Sequence, residues 1–119
     1  MFTIVIPVLN QHEEACKYLD SWFKLTKGSL KIVFIDNGSA EPFNDNPWLA
    51  GWRSEGHAIK VIRNDGNVGV YPTFRQGLEE TKSDWIFYSH SDVEMLDWGW
   101  DEKLKHILTL LCVRSDVRC

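Results

Sequence analysis

The sequence has few cysteines, no long apolar run and no cluster of basic residues, and each absence removes a class of protein. Its three cysteines, Cys16, Cys112 and Cys119, are odd in number and form no C-x-x-C pair, so neither a disulfide framework nor a zinc knuckle is indicated. Reduced thiols and a cytoplasmic setting are the expectation. Cys16 lies in a helical pattern and reads as a small core residue. The apolar stretches Phe2–Leu9 and Ile107–Val113 fall short of the roughly 20 residues that cross a bilayer. The first also lacks the basic flank and cleavage site of a signal peptide, so no transmembrane segment is expected. Thirteen Lys and Arg stand against 17 Asp and Glu, a net charge of −4 with no basic run, which argues against a nucleic-acid partner. No repeat or low-complexity tract divides the chain, and its length suits one domain over 1–119.

What is present is an alternation. Thr3–Leu9 and Lys31–Asp36 are continuous β-branched and aliphatic runs, the pattern of central parallel strands buried on both faces. Between them Ala15, Cys16, Leu19, Trp22 and Phe23 recur at helical spacing from Glu13, and Lys27-Gly28 ends the helix. The segment 40–56 holds Pro42, Pro47, Gly51 and two Trp and reads as irregular or a short helix around Trp48–Trp52. Ala58–Ile62 is a third strand. The glycine-rich Asn64–Gly69 must be a loop, and Pro72 suits the first turn of the helix after it. Asp84–Ser89 is a fourth strand, and a last helix begins near Gly99. The order predicts an α/β fold with a mainly parallel, Rossmann-like sheet and helices on both faces. Ligands bind such sheets outside the carboxyl ends of the strands. That rule gathers Pro7–Asn10, Asp36–Ser39, Asn64–Gly69 and Ser91–Glu94 on one rim.

On this rim Asp92 and Glu94 stand two apart after an apolar strand. If the chain is still extended there, they point the same way. Two such carboxylates repel unless a hard divalent cation sits beside them, and Mg²⁺ or Mn²⁺ would take one or two of them together with phosphate oxygens. Taken alone, the spacing fits two solvated loop carboxylates better than a metal site, because short acidic motifs are common. Asp36 is open to a turn-stabilising role or to a ribose or base contact. The Asn64–Gly69 loop is neither a Walker loop nor a G-x-G-x-x-G fingerprint. Arg63 and Arg75 are the cations nearest the rim in sequence, and His90 is the one histidine close to the acidic pair. A flavodoxin-like phosphoacceptor is disfavoured, because Pro7–Asn10 carries no acidic pair after the first strand.

Four segments, in order and at matching spacing from Phe2 to about Trp100, carry a resemblance. Thr3–Asn10, with its Pro-x-x-Asn loop, Ile35–Ser39, Asn67-Val-Gly69 followed by Gly77-Leu78, and Trp85–Glu94 resemble the corresponding motifs of family 2 glycosyltransferases of the GT-A fold. The resemblance implies a truncated GT-A domain, a nucleotide-diphospho-sugar donor and Mn²⁺ or Mg²⁺. It places Pro7, Val8, Asn10, Asp36, Asn37, Asn67, Gly69, Arg75, Ser91 and Asp92 around the donor, with Asp92 and Glu94 on the metal as a D-x-D-like motif. Asn37 stands where the family has a second acid, Arg75 where it has Asn, Ser91 where it has an acid, and Glu94 where it has Asp. The family continues for about another domain's length, which supplies the acceptor contacts and the general base. No catalytic base is assigned here, and Asp97 and Asp101 read as loop or helix-capping carboxylates. The expectation is a glycosyltransferase, with a nucleotide-sugar-binding module without turnover as the alternative. The apolar last helix, with Ile107, Leu108, Leu110, Leu111 and Val113, implies a homodimer or a partner chain.

Overall fold

The first two strands occupy the middle of the sheet, as their unbroken aliphatic character requires. The computed structural model describes residues 2–115, with side chains through residue 110, so Leu111, Cys112, Val113 and Cys119 carry expectations that lie outside the described side chains. Strands β1 (Phe2–Val8), β2 (Lys31–Asp36), β3 (Ala58–Arg63) and β4 (Trp85–Tyr88) form one all-parallel sheet in the order β3-β2-β1-β4. Helices α1 (His12–Lys24), α2 (Pro47–Ser54), α3 (Val70–Glu80) and α4 (Trp100–Ser115) alternate with them.

Strand alternation divides the core in two. Phe2, Ile4, Ile6 and Val8 of β1 and Ile32 and Phe34 of β2 face the larger layer, where Leu19, Trp22 and Phe23 of α1, Leu49 and Trp52 of α2 and Trp100 of α4 pack. Aromatic contacts fill it: Trp22 meets Trp100 edge-on at 5.2 Å and Phe23 stacks on Trp52 at 4.4 Å. On the other face Val5, Val33 and Ile35 form a thinner layer covered by α3. That helix approaches closely because Gly77 has no side chain: a Cβ there would lie 2.5 Å from Val5 Cγ1.

The segment 40–56 resolves into a 3₁₀ turn at Phe43–Asp45 and then α2. Asn46 caps α2 by accepting from the Trp48 N–H at 2.9 Å, and Pro47 opens its first turn. The first helix ends at Lys24, short of the Lys27-Gly28 stop, because Asp101 takes over that loop. Its buried carboxylate accepts from the N–H groups of Lys27 and Gly28, both at 2.9 Å, and so pins α4 to the α1–β2 connection. Cys16 is buried and free, and burial together with Glu13 and Asp20 pushes its thiol up to about 12, the state of an inert core cysteine. Among the described residues, no helix is long and apolar enough to cross a membrane.

Buried titratable groups make stability depend on acid. Burial alone would raise Asp101, but the Lys27 and Gly28 N–H groups outweigh it and hold the carboxyl below its ordinary value. Burial lowers His57, against the opposing charges of Glu55 and Asp101, and its Nδ1 accepts the Leu30 N–H at 3.0 Å, which requires the neutral ring. A histidine depressed in the fold contributes stability that is complete above its unfolded value of about 6.5 and is lost as pH falls through the folded value. A depressed carboxyl does the same below about 4. Unfolding free energy should therefore fall in two stages on acidification. Denaturant melts at pH 7.5, 5.5 and 3.5 would show both, and His57→Asn, which keeps an acceptor for Leu30, should flatten the first. Equal stability at pH 7.5 and 5.5 in the unsubstituted chain would refute the part assigned to His57.

Candidate functional site

The carboxyl ends of the strands converge on one open cavity of about 510 Å³. Its lining includes Pro7 and Val8 from β1, Asn37 after β2, Asn67 and Gly69 from the β3–α3 loop, and Ser91 and Asp92 after β4. Seven of the residues expected around a donor are thus brought to one place. Asn10, Asp36 and Arg75 are not in the lining, and neither is Glu94.

Strand alternation explains the parting of Asp36 from Asn37. Asp36 follows Phe34 onto the larger face and is fully buried; Asn37 turns toward the α3 side and the cavity. The Asp36 carboxylate accepts from the Ser39 N–H at 2.9 Å, the Phe43 N–H at 2.8 Å and Arg63 Nη1 at 2.6 Å. Burial would raise this carboxyl, yet the Phe43 and Ser39 donors and Arg63 hold it below the usual range. Arg63 also donates to the Ser39 carbonyl at 2.8 Å. Both Asp36 oxygens are thus engaged by the turn that positions Asn37. Gly38 completes that turn with φ of +92°, and a Cβ there would come within 2.7 Å of Gly66 Cα. The β2 turn and the β3–α3 loop are thus packed backbone against backbone.

Asn10 has a comparable supporting part. It and Gln11 take left-handed conformations, with φ of 52° and 51°. Asn10 receives the Ala40 N–H on its side chain at 2.9 Å, while its own N–H reaches Ser39 Oγ at 2.8 Å. The β1 loop is thereby tied to the β2 turn and Gln11 is delivered to the cavity wall. Arg75 lies on the exposed side of α3, beside Glu79 at 3.5 Å, away from the lining.

On the Asp92 side the chain turns at Ser91–Asp92 and does not continue as a strand. The two acids consequently part: Asp92 lines the cavity, and Glu94 is exposed outside it. The pair two apart that does face the cavity is His90 and Asp92. The loop is anchored by its backbone, with Trp22 Nε1 donating to the Val93 carbonyl at 2.8 Å and the Met95 N–H to Ser21 Oγ at 2.8 Å. Among the described residues no group of three or more His, Cys, Asp or Glu converges as a cation cage. One rim carboxylate with open space before it suits a hard cation that takes its other ligands from phosphate and water. Leu9, Gln11, Val70 and Thr73 also line the cavity. Leu9 falls in the expected rim segment Pro7–Asn10, whereas Gln11, Val70 and Thr73 escape sequence reading because none carries a charge or a motif, and only the left-handed β1 loop and the close seat of α3 bring them there.

Comparison with known proteins gives a consistent result. The model of the family described as glycosyl transferase family 2 matches residues 3–108. An uncharacterized glycosyltransferase of Haemophilus influenzae is 24% identical over 111 residues, covering 93% of this chain and 34% of that protein. A PGL/p-HBAD biosynthesis glycosyltransferase of Mycobacterium bovis is 28% identical over 92 residues, covering 77% of this chain and 35% of the relative. A mannosyltransferase from Pyrobaculum calidifontis, solved with GDP-Man and Mn²⁺, superposes with a TM-score of 0.73 at 14% identity, over 92% of this chain and 32% of that one. The chain spans about a third of the length of these relatives, and that third is a GT-A-type α/β sheet. With most of its length matched by the family model, the chain belongs to glycosyl transferase family 2.

Proposed function

We propose that this chain is the donor-binding part of a glycosyltransferase, holding a nucleotide-diphospho-sugar in the strand-end cavity beside a divalent cation, Mn²⁺ or Mg²⁺. The observation that carries it is the grouping of Pro7, Val8, Asn37, Asn67, Gly69, Ser91 and Asp92 around one space. In this reading Asp92 is the protein ligand of the cation, and exposed Glu94 contributes charge nearby without a bond. When bound, the cation offsets the negative charge that builds on the leaving diphosphate. Pro7 and Val8 give the nucleoside an apolar floor, and the Asn37–Asn67 wall fixes it by hydrogen bonds. Among the described residues the cavity lining holds one carboxylate, Asp92. Activation of an acceptor hydroxyl therefore falls to residues beyond this third of the relatives' length or to a partner chain. The same shortage favours the alternative, a module that binds the nucleotide without turnover.

Calorimetry with UDP, GDP, CDP and dTDP, with and without Mn²⁺, tests the site. The expected result is binding of at least one nucleoside diphosphate that strengthens when Mn²⁺ is added. No binding by any of the four would reject the reading. Release or transfer of sugar from a bound donor would then separate the enzyme from the binding module.

A second chain is part of the proposal. Among the described residues strand β4 is a sheet edge, and Leu96, Trp98, Ile107 and Leu110 are exposed near or on α4. An unpaired edge with apolar surface beside it is ordinarily covered. Sedimentation at micromolar concentration should show a dimer, and a monomer would refute it.

A further inference from the structure

The cavity wall formed by Asn37 and Asn67 has a fixed hydrogen-bonding polarity. Asparagine carries an acceptor oxygen with two lone pairs and a nitrogen with two donors, and a backbone N–H can only donate, so its partner must be the oxygen. The Val68 N–H reaches Asn37 Oδ1 at 3.1 Å and the Gly69 N–H reaches Asn67 Oδ1 at 2.9 Å. Both carboxamides are thereby oriented by backbone. Asn37 Oδ1 also accepts from Asn64 Nδ2 at 3.2 Å, and Asn67 Oδ1 from Asn37 Nδ2 at 2.7 Å. Asn64 is itself locked by a reciprocal pair with Gln76, at 3.0 and 2.7 Å. Every acceptor position of Asn37 and Asn67 is filled. What remains among the described residues is one N–H on Asn37 and two on Asn67, all donors.

Among the described residues no Lys or Arg lines the cavity, so this wall is neutral and is not where a diphosphate gains most. Asn37 and Asp92 follow β2 and β4, which flank β1, and two strand spacings separate them by roughly 10 Å. A nucleotide whose diphosphate lies at Asp92 thus places its base toward Asn37. We infer that Asn37 and Asn67 set the base preference of the site, selecting a cytidine nucleotide over a uridine or guanosine one. This rests on the proposed donor-binding role. Cytosine alone among the common bases puts two adjacent acceptors, N3 and O2, on its pairing edge. Uracil and thymine place an N3–H donor there, and guanine places N1–H and N2–H donors. Donor facing donor leaves both groups unsatisfied, which costs about tenfold or more in affinity.

The test is calorimetry of the full chain with Mn²⁺ and CDP, UDP, GDP or the diphosphate of 3-deazacytidine, in which a C–H replaces the N3 acceptor. Expected are CDP affinities about tenfold or more above those of the other three. Asn37→Asp, which exchanges the free donor for an acceptor, should invert the order of CDP and UDP. Should that variant fail to fold, the deaza comparison on the unsubstituted chain decides. UDP or GDP binding as tightly as CDP would overturn the inference and leave the nucleotide site standing, as would equal affinity for CDP and its deaza analogue or an unchanged order in a folded Asn37→Asp. If none of the nucleotides binds, the site itself fails and the inference with it.

Discussion

Replacing Asp92 with Ala should leave the domain folded and remove its cation-dependent nucleotide binding. The side chain is exposed, and no hydrogen bond or ion pair to it occurs among the described residues. The loop that carries it is held by the Val93 carbonyl on Trp22 and the Met95 N–H on Ser21, and neither contact involves the carboxylate. A surface substitution of this kind changes stability by about 0.5 kcal/mol or less. Binding is another matter. A cation that draws one protein bond from Asp92 and the rest from diphosphate and water loses its only anchor to the chain. An affinity loss of about a hundredfold, ~2.7 kcal/mol, is expected with Mn²⁺ present. Without the metal, wild-type and variant should bind alike. Glu94→Ala, outside the cavity lining, should change affinity by less than about threefold, inside the range of a screened surface charge. Calorimetry with and without Mn²⁺ measures all of this. An Asp92→Ala chain that melts normally and binds normally would remove the metal site from Asp92.

The same pair shows where sequence reading reaches and where it stops. The strands were legible because aliphatic runs such as Thr3–Leu9 have few other uses, and the strand-end rule then placed Pro7, Asn37, Asn67 and Asp92 together. The placement of Glu94 was not legible, because it depended on the chain staying extended past β4, and the loop after β4 is anchored by contacts with α1 more than 70 residues earlier. Asp36 and Asn37 were adjacent polar residues at a strand end, with no difference in residue chemistry to separate them. Alternation could have done so: Phe34 and Asp36 share a face, and that face is the core. The partner that makes burial of Asp36 tolerable, Arg63, closes from the end of β3, 27 residues away.

That buried carboxylate carries the largest expected effect on stability. Asp36→Asn keeps the volume but turns one acceptor oxygen into an NH₂. Of the three donors aimed at the group, at least one then meets another donor, and Arg63 loses its counter-charge. The ion pair itself is discounted, because the Arg63 side chain is 41% exposed and solvent takes over part of its charge. The backbone N–H groups of Ser39 and Phe43 are buried and have no such recourse, and each unsatisfied buried donor costs about 1–3 kcal/mol. A loss of about 3 kcal/mol follows, a melting-temperature drop on the order of 10 °C for a domain of this size. Asp36→Ala should cost more, since it strands both N–H groups. Nucleotide affinity should fall as well, although Asp36 is outside the cavity lining, because the turn it holds presents Asn37. Arg63→Ala separates the two contributions: it removes the charge partner and leaves the N–H bonds, so its effect should be the smaller. Thermal melts of the three variants, with CDP affinity measured on those that remain folded, test this ordering. An Asp36→Asn chain that melts within 2 °C of the parent, roughly 0.5 kcal/mol, would show that the β2 turn is held by something other than this carboxylate.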